Sequence, residues 1–505
     1  MDGRGEERMA EFARHCEGLA SWGHATEEGR CTLFSAAEYV RRRTVAWGGF
    51  PTGSVAVVAA GAPRFMTQLG GVPIPHPSGY RPHADFLWLT GCEDQGAVAV
   101  LEAAPPGART PGGVRLSLVF GAASRKDLAW DNAPEAPESV ARRCGAEACF
   151  SGRGDLDHVL SEARARAGGH FRLFYDPGVN PEVHGGGGGA HGSGFPDYQV
   201  RSAVLGEWVR GVGPGGVRCE DPAGRFGEAR WAKGEEEVGA MRAAARATGQ
   251  ALVRTMMETS AGESEVAAGA RFEYEARQLG ATRFAYPPCV GAGKRSAVIH
   301  AFPTGRRPMR AGELLLMDAG ACVEGYAADI TRTWALPAAG ARGPAPFSAS
   351  QALVYAAVLR THEQLLQMCV PGVTMGDLNS ACRGLLAEEL MALGWIDAPS
   401  EVARFFPHIV THSLGMDVHD SAKLGDTGMR PLSEGVAITV EPGLYVSPWE
   451  QDALRRRPQA RATDFVGGIR IEDDLVIRGR AGPEVLSDFV PRSIEALEAL
   501  HAIHA

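Results

Sequence analysis

The stretch LLLMDAG, residues 314–320, ends a run of four apolar residues with an aspartate, Asp318. A second acid, Asp329, follows eleven residues later in AADITRTW (327–334). Two more acids, Glu441 and Glu472, lie in or directly after the apolar runs VAITV (436–440) and GIRI (468–471). A carboxylate beside a buried strand is costly unless it is paired or bound to a metal. The pattern therefore indicates a cluster of functional acids in the second half of the chain.

An imidazole joins these acids, because His412 lies in THSLG (411–415). Four carboxylates and one imidazole form a mainly oxygen-donor set that suits Mn²⁺, Co²⁺ or Zn²⁺, and two ions rather than one. Each residue alone also has a structural interpretation. An aspartate at a strand end often caps a turn, Arg470 could simply pair with Glu472, and a single histidine is often structural. Spacing alone leaves these alternatives open.

Five motifs in a fixed order resemble the aminopeptidase P and prolidase branch of the pita-bread metallopeptidases. They are LLMDAG (315–320), DITRTW (329–334), GMDVHD (415–420), VEPGLY (440–445) and GIRIEDD (468–474). Upstream, EY (38–39), RRR (41–43) and DFLWLTG (85–91) resemble the N-terminal domain of that branch. The segments YPP (286–288) and GAG (291–293), continuing to His300, resemble the Xaa-Pro aminopeptidase 3 and intermediate-cleaving peptidase group in particular. The resemblance extends over about residues 35–495.

The resemblance implies a dinuclear metal site with assigned ligands. Asp329 and Glu472 would bridge the two ions, Asp318 would chelate one of them, and His412 with Glu441 would complete the other. The expected ions are two Mn²⁺, with Co²⁺ or Zn²⁺ as alternatives. A hydroxide between the ions would attack the carbonyl that precedes proline, and Glu441 would also act as the proton shuttle.

Further residues receive roles around the substrate from the same resemblance. His408 and His419 would hydrogen-bond the substrate and the tetrahedral intermediate, and such stabilisation of developing charge is often a large catalytic contribution. His300 and Tyr286 would line the substrate pocket, and Arg470 would orient the metal-binding carboxylates. The loop after His408 reads Ile-Val-Thr where the family usually carries glycine. These bulkier side chains predict either a narrower pocket or a change in which peptides fit.

The chain is expected to contain an N-terminal extension (1–34), an α/β domain (35–228) and an α+β pita-bread catalytic domain (229–495). Strands are predicted at Ser54–Ala60, Asp85–Leu89, Ala97–Glu102, Val114–Phe120 and His170–Tyr175, then within His408–His419, Gly435–Val446 and Gly467–Val476. Helices are predicted at Ala36–Val45, Pro137–Cys144, Gly234–Met257, Gln351–Cys369 and Met375–Leu393. The glycine-rich segment 184–194 is expected to be a surface loop.

The motifs predict a metal-dependent Xaa-Pro aminopeptidase. The alternatives are a prolidase restricted to Xaa-Pro dipeptides and a mitochondrial peptidase that trims imported proteins. Because all five ligand positions are retained, a non-catalytic binding protein on the same fold is disfavoured. The net charge of -9 argues against nucleic-acid binding, and no segment has the pattern of a membrane span. The expected partners are peptide substrates and a second copy in a homodimer, in a mitochondrial or cytoplasmic compartment.

Overall fold

The computed structural model divides into two compact units, with the division at Arg230. The predicted extension, apart from Phe34, and the glycine-rich segment 184–194 lie outside the residues that the structure describes. The described residues are 34–60, 65–69, 72–75, 81–94, 97–104, 110–120, 136–152, 155–175, 219–421, 427–479 and 482–500.

The N-terminal unit has α/β architecture, as predicted. Its described helices are α1 (Ala36–Trp47), α2 (Ala84–Thr90), α3 (Pro137–Cys144), α4 (Asp155–Ala167) and α5 (Ala223–Trp231). Its described strands are β1 (Ser54–Ala59), β2 (Phe65–Leu69), β3 (Val72–Pro75), β4 (Val98–Ala103), β5 (Val114–Val119), β6 (Ala148–Phe150), β7 (Arg172–Tyr175) and β8 (Cys219–Glu220). A six-stranded mixed sheet has the order β6-β5-β4-β1-β7-β8. Val57 and Val100 of this sheet lie in one buried cluster with Leu156 and Leu160 of α4, which forms the core of the unit.

One predicted strand of this unit is wrong, because Asp85–Leu89 lies within helix α2. Every residue of α2 is buried, so the helix has no solvent-exposed face that would show as a periodic pattern of polar residues. A short apolar run of this kind cannot be assigned to helix or strand by periodicity alone. The sequence does carry a signal for the end of the helix, because glycine is common directly after a helix. Gly91 adopts the left-handed conformation (φ +62°), and its N–H donates to the Leu87 carbonyl.

The C-terminal unit is built from long helices and several small antiparallel sheets, which confirms the predicted α+β class. Its described helices are α6 (Glu235–Glu258), α7 (Glu265–Gln278), α8 (Ala349–Met368), α9 (Met375–Ala392), α10 (Pro448–Leu454) and α11 (Ile494–Ala499). Its described strands are β9 (Arg283–Phe284), β10 (Cys289–Ala292), β11 (Leu314–Ala319), β12 (Ala321–Val323), β13 (Tyr326–Ala327), β14 (Ile330–Ala335), β15 (Ala437–Val440), β16 (Gly443–Val446), β17 (Gly467–Arg470), β18 (Asp473–Val476) and β19 (Glu484–Val485). Within the described ranges, no helix is long and apolar enough to cross a membrane.

The long helices agree with the predicted ranges to within two residues at each end, and local capping explains where they begin. Ser348 accepts a hydrogen bond from the Gln351 N–H at the start of α8. Thr374 does the same for the Asp377 N–H at the start of α9. Side-chain acceptors of this kind satisfy N–H groups that have no partner inside the helix.

The strands predicted within His408–His419 are wrong, because this segment is a loop without a regular strand. It follows β15 through main-chain hydrogen bonds, in which Thr439 donates to the His412 carbonyl and Glu441 donates to the Val410 carbonyl. Val410 and Leu414 of this loop are buried, so an apolar run here does not require a strand. The loop then turns away at Gly415, where an added Cβ would lie 2.6 Å from the Asp420 carboxylate.

Candidate active site

The five predicted metal ligands lie at the ends of strands that meet in the C-terminal unit. Asp318 is the fifth residue of β11, Asp329 directly precedes β14, Glu441 lies between β15 and β16, and Glu472 lies between β17 and β18. His412 comes from the loop beside β15, and strand pairing aligns Asp318 with Thr331 across β11 and β14. The sheets therefore converge on one cluster of acids.

The distances identify a group that could bind a metal ion. Asp329, His412 and Glu472 each offer a ligand atom, and these atoms lie within 4.8 Å of one another. His412 Nε2 is 3.4 Å from Asp329 Oδ2 and 3.5 Å from Glu441 Oε1. His412 Nδ1 lies 3.2 Å from the Ser413 carbonyl. A proton on Nδ1 would donate to that carbonyl and leave Nε2 free to bind a metal.

Asp318 is connected to the cluster by two side chains. The Tyr286 hydroxyl makes short hydrogen bonds to both Asp318 and Asp329. Arg470 Nη2 donates to Asp318 Oδ2 at 2.5 Å. Arg470 is almost fully buried, and its Nε also donates to Thr331 Oγ1, whose hydroxyl donates to Glu472 at 2.6 Å. Arg470 thus contacts one acid directly and a second through Thr331, and its orienting role stays a prediction.

His408 is linked to the same arginine through Tyr445. His408 Nδ1 is 2.7 Å from the Ile409 carbonyl, so the ring proton belongs on Nδ1, and Nε2 then accepts from the Tyr445 hydroxyl at 2.8 Å. The Tyr445 oxygen in turn accepts from Arg470 Nη1 at 2.9 Å. Burial, with the charge of Arg470, lowers the pKa of His408 to about 4, so the ring is neutral at pH 7.

The other two predicted histidines lie at the accessible side of the cluster. The exposed His419 packs edge-on against the His412 ring, with ring centroids 4.4 Å apart. Burial and then the charge of His412 lower the pKa of His419. His300 is exposed, and its charge contributes to the lowered pKa of both His408 and His419. His300 therefore lies within electrostatic range of both of these histidines.

The cluster carries more negative charge than its own cations balance. Burial raises the pKa of Glu441 to about 7, and burial together with the Asp329 and Glu441 charges raises the pKa of Glu472 well above its usual value. Burial opposes protonation of His412, but its hydrogen bond to Asp329 and the charges of Asp329 and Glu441 outweigh this and raise its pKa to about 9. In the absence of metal, bound protons thus offset part of the negative charge of the cluster. Divalent ions bound there would offset more of it. The donor set fits hard or borderline divalent metals.

Several contributing residues were not assigned from the sequence, although periodicity carried a signal for some of them. Thr331 and Thr333 share one face of β14, and Asp329, directly before the strand, continues the same alternation. Thr331 reaches Glu472, and Thr333 Oγ1 donates to the Arg470 carbonyl at 3.1 Å. Asp474 accepts the Asp329 N–H at 3.0 Å, which no sequence pattern predicts.

Comparison with known proteins agrees with this geometry. Residues 239–479 match the model of metallopeptidase family M24, and residues 39–170 match the aminopeptidase P N-terminal domain. Mitochondrial intermediate cleaving peptidase 55 of Arabidopsis thaliana is 31% identical over 483 residues, covering 95% of this chain and 86% of the relative. The chain belongs to metallopeptidase family M24. Human Xaa-Pro aminopeptidase 3 is 30% identical over 434 residues, covering 83% of this chain and 77% of that protein.

Solved structures of the family extend the agreement to three dimensions. Pseudomonas aeruginosa aminopeptidase PepP aligns with a TM-score of 0.75 at 27% identity, over 93% of this chain and 98% of that one. The predicted family and its pita-bread catalytic fold are confirmed. The M24 chain is an aminopeptidase P type of metallopeptidase and hence a hydrolase that uses a divalent metal.

Proposed function

We propose that this M24 enzyme is an Xaa-Pro aminopeptidase with two metal ions, which releases the first residue of peptides that carry proline second. The observation that carries the proposal is the convergence of four carboxylates and His412 on one site, with three further histidines around it. The name of the human relative supports this reaction, and the name of the Pseudomonas relative supports an aminopeptidase.

The donor set supports the ligand roles that the family resemblance implies. Asp329 and Glu472 would hold both ions, Asp318 would hold one, and His412 with Glu441 would hold the other. Two Mn²⁺ ions are proposed, with Co²⁺ and Zn²⁺ as alternatives, since each accepts carboxylate and imidazole donors. When bound, such ions activate a water molecule as the nucleophile and polarise the scissile carbonyl.

The chain's own residues supply the proton transfers and the positioning. Glu441 lies 3.5 Å from His412 Nε2 and 3.7 Å from His408 Nδ1, and its carboxylate would act as the proton shuttle. His419 presents an accessible ring that can donate one N–H to the substrate oxygen as charge develops there. Tyr445 and Arg470 fix the ring of His408 beside Glu441.

Peptide length and sequence test the reaction and its alternatives. Metal-stripped enzyme, reloaded with Mn²⁺, Co²⁺ or Zn²⁺, would be given matched Xaa-Pro, Xaa-Pro-Yaa and Xaa-Ala-Yaa peptides. We expect release of the first residue from Xaa-Pro-Yaa and much slower cleavage of Xaa-Ala-Yaa. Cleavage of the dipeptide alone would establish a prolidase instead. Cleavage that ignores proline would favour the trimming role that the name of the Arabidopsis relative suggests.

A homodimer is also part of the proposal. It rests on the family resemblance, and sedimentation of the 53.4 kDa chain tests it directly. A mass near twice that value supports the dimer, and a mass equal to it contradicts the dimer.

Imaging of the tagged chain distinguishes the mitochondrial compartment from the cytoplasmic one.

A further inference from the structure

The loop that carries His419 is closed by the residue next to it. The Asp420 N–H donates to the Ser413 carbonyl at 2.9 Å, and the Ser413 hydroxyl makes a short hydrogen bond back to the Asp420 carbonyl. Ser413 directly follows His412. These two hydrogen bonds therefore join the ends of one short loop, which begins at His412 and ends just after His419. The ring centroids of the two histidines are 4.4 Å apart.

Beneath this loop lies a buried ion pair that has no part in binding the metals. Lys233 Nζ is 3.0 Å from Asp420 Oδ2, and both side chains are only 1% exposed. Lys233 lies just before α6, far from Asp420 in sequence, and its main-chain N–H donates to the Gly435 carbonyl. Its ammonium group also donates to the Trp231 carbonyl at 3.3 Å. Both the main chain and the ammonium group of Lys233 are thus held by contacts outside the loop.

The ion pair packs directly against the loop backbone. An added Cβ on Gly415 would lie 2.6 Å from Asp420 Oδ2 and 3.0 Å from Lys233 Cε, so only glycine fits there. Asp420 Oδ1 also accepts the Asp417 N–H at 3.3 Å. Burying two charges costs free energy that their attraction often does not return, whereas apolar side chains of similar volume would avoid that cost. Stability alone therefore does not account for this pair, while fixing a single loop conformation does.

We propose that Lys233 and Asp420 are positioning residues, which hold loop 412–420 so that His419 faces the substrate above His412. The inference rests on the proposed aminopeptidase function, because it assigns these residues to the step in which His419 stabilises developing charge. Neither residue is among the five metal ligands. Their loss is therefore expected to lower kcat while leaving metal binding and KM nearly unchanged.

The test replaces both charges together, so that neither is left buried alone. In Lys233→Met with Asp420→Asn, shape is kept and the folded protein should bind metal as the wild type does. We expect kcat to fall roughly 10- to 100-fold, the usual range for a lost positioning partner. His419→Ala added to this double variant should cost little more, because the histidine is already misplaced. Wild-type kcat in the double variant, or fully multiplicative losses with His419→Ala, would overturn the proposal.

Two further variants keep the test decisive. Arg360→Met with Glu389→Gln removes a bidentate ion pair between α8 and α9, away from the site, and should leave kcat unchanged. If the Lys233 and Asp420 variant does not fold, Ser413→Ala loosens the same closure without exposing a buried charge. It should lower kcat by a smaller factor at unchanged metal content, and wild-type kcat there would contradict the proposal.

A magnetic resonance measurement separates this inference from the proposed function. The imidazole signal of His419 is followed in the wild type and in the double variant, both loaded with diamagnetic Zn²⁺ and without any substrate. A changed chemical shift and titration midpoint support the positioning role even if no Xaa-Pro peptide is cleaved. Identical signals would contradict it even if the enzyme is fully active on such peptides.

Discussion

Asp329 contacts three other residues around the site. Its carboxylate contacts Tyr286 and His412, and its N–H donates to Asp474. Glu441, by contrast, is perturbed chiefly by burial. At the scale of single residues, the site is therefore a set of carboxylates that neighbouring groups hold in place. The positive charges around these carboxylates are too few to balance their negative charge.

Replacing Asp329 by asparagine should abolish activity and keep the fold. The substitution preserves the main-chain bond to Asp474 but removes one charge and one ligand oxygen, so at least about a 100-fold loss of kcat/KM is expected. Metal content by mass spectrometry and unfolding temperature would be measured beside activity. Asp452→Asn changes a surface aspartate in the same way and should have no effect. Full turnover of Asp329→Asn with full metal content would exclude the dinuclear assignment.

His419→Ala should lower kcat on the order of 100-fold while metal content stays the same. The reason is that the ring contacts His412 but is assigned to the substrate and not to the ions. The exposed His158 offers a control for loss of a surface imidazole, since His158→Ala should keep full activity. If His419→Ala instead loses metal, then His419 is itself a ligand.

The stability of the metal-stripped protein should fall as pH rises. Glu441, at about pH 7, and His412, at about pH 9, both have pKa values raised above their usual values, so the folded state binds more protons than the unfolded state. Stability from each group is present at low pH and is lost as pH passes its folded-state pKa. Denaturant midpoints from pH 5 to 9 would measure this. Glu441→Gln should remove the part of the slope below about pH 7, and an unchanged slope would show that Glu441 titrates normally.

At the scale of elements, close turns bring the strand ends together. Gly320, between β11 and β12, allows the strand carrying Asp318 to approach the segment before Asp329. An added Cβ there would lie 1.9 Å from the Ala328 carbonyl. The LMDAG motif therefore contains both the proposed ligand Asp318 and the glycine that leaves space for the segment before Asp329.

Gly320→Ala should destabilise the protein by about 1–3 kcal/mol, since the methyl group has no space. It should also weaken metal binding, because the added methyl group would push the segment carrying Asp329 away from Asp318. Gly384→Ala on α9 is the matched control, because nothing lies within 4 Å of its added Cβ. That control should be neutral or stabilising. Equal unfolding midpoints for the two variants would contradict the proposed role of Gly320.

The sequence predicted elements well where periodicity and caps agree, as in α8 and α9. It failed where tertiary contacts decide, as in α2, which is buried on every side, and in loop 408–419, whose apolar residues pack beside β15 without forming a strand. The structure brings together the predicted ligand positions, whose motifs are local. Asp420 and Lys233 could not be paired from the sequence, because the contact depends on how distant segments pack.

At the scale of the whole molecule, the chain combines an α/β unit with an M24 catalytic unit that contains all of the proposed ligands. The family relationship supports the reaction class, whereas the proposed preference for proline would depend on the shape of the substrate pocket. The Ile-Val-Thr segment after His408 is the place where that shape is expected to differ, and Ile409 is exposed there.

The most direct measurement is the rate of release of the first residue from an Xaa-Pro-Yaa peptide as a function of metal ions bound per chain. The proposed dinuclear site predicts no release from the metal-stripped enzyme and a maximum at two ions per chain, with none in Asp329→Asn. Full activity without bound metal, or a maximum at one ion that two do not increase, would contradict it.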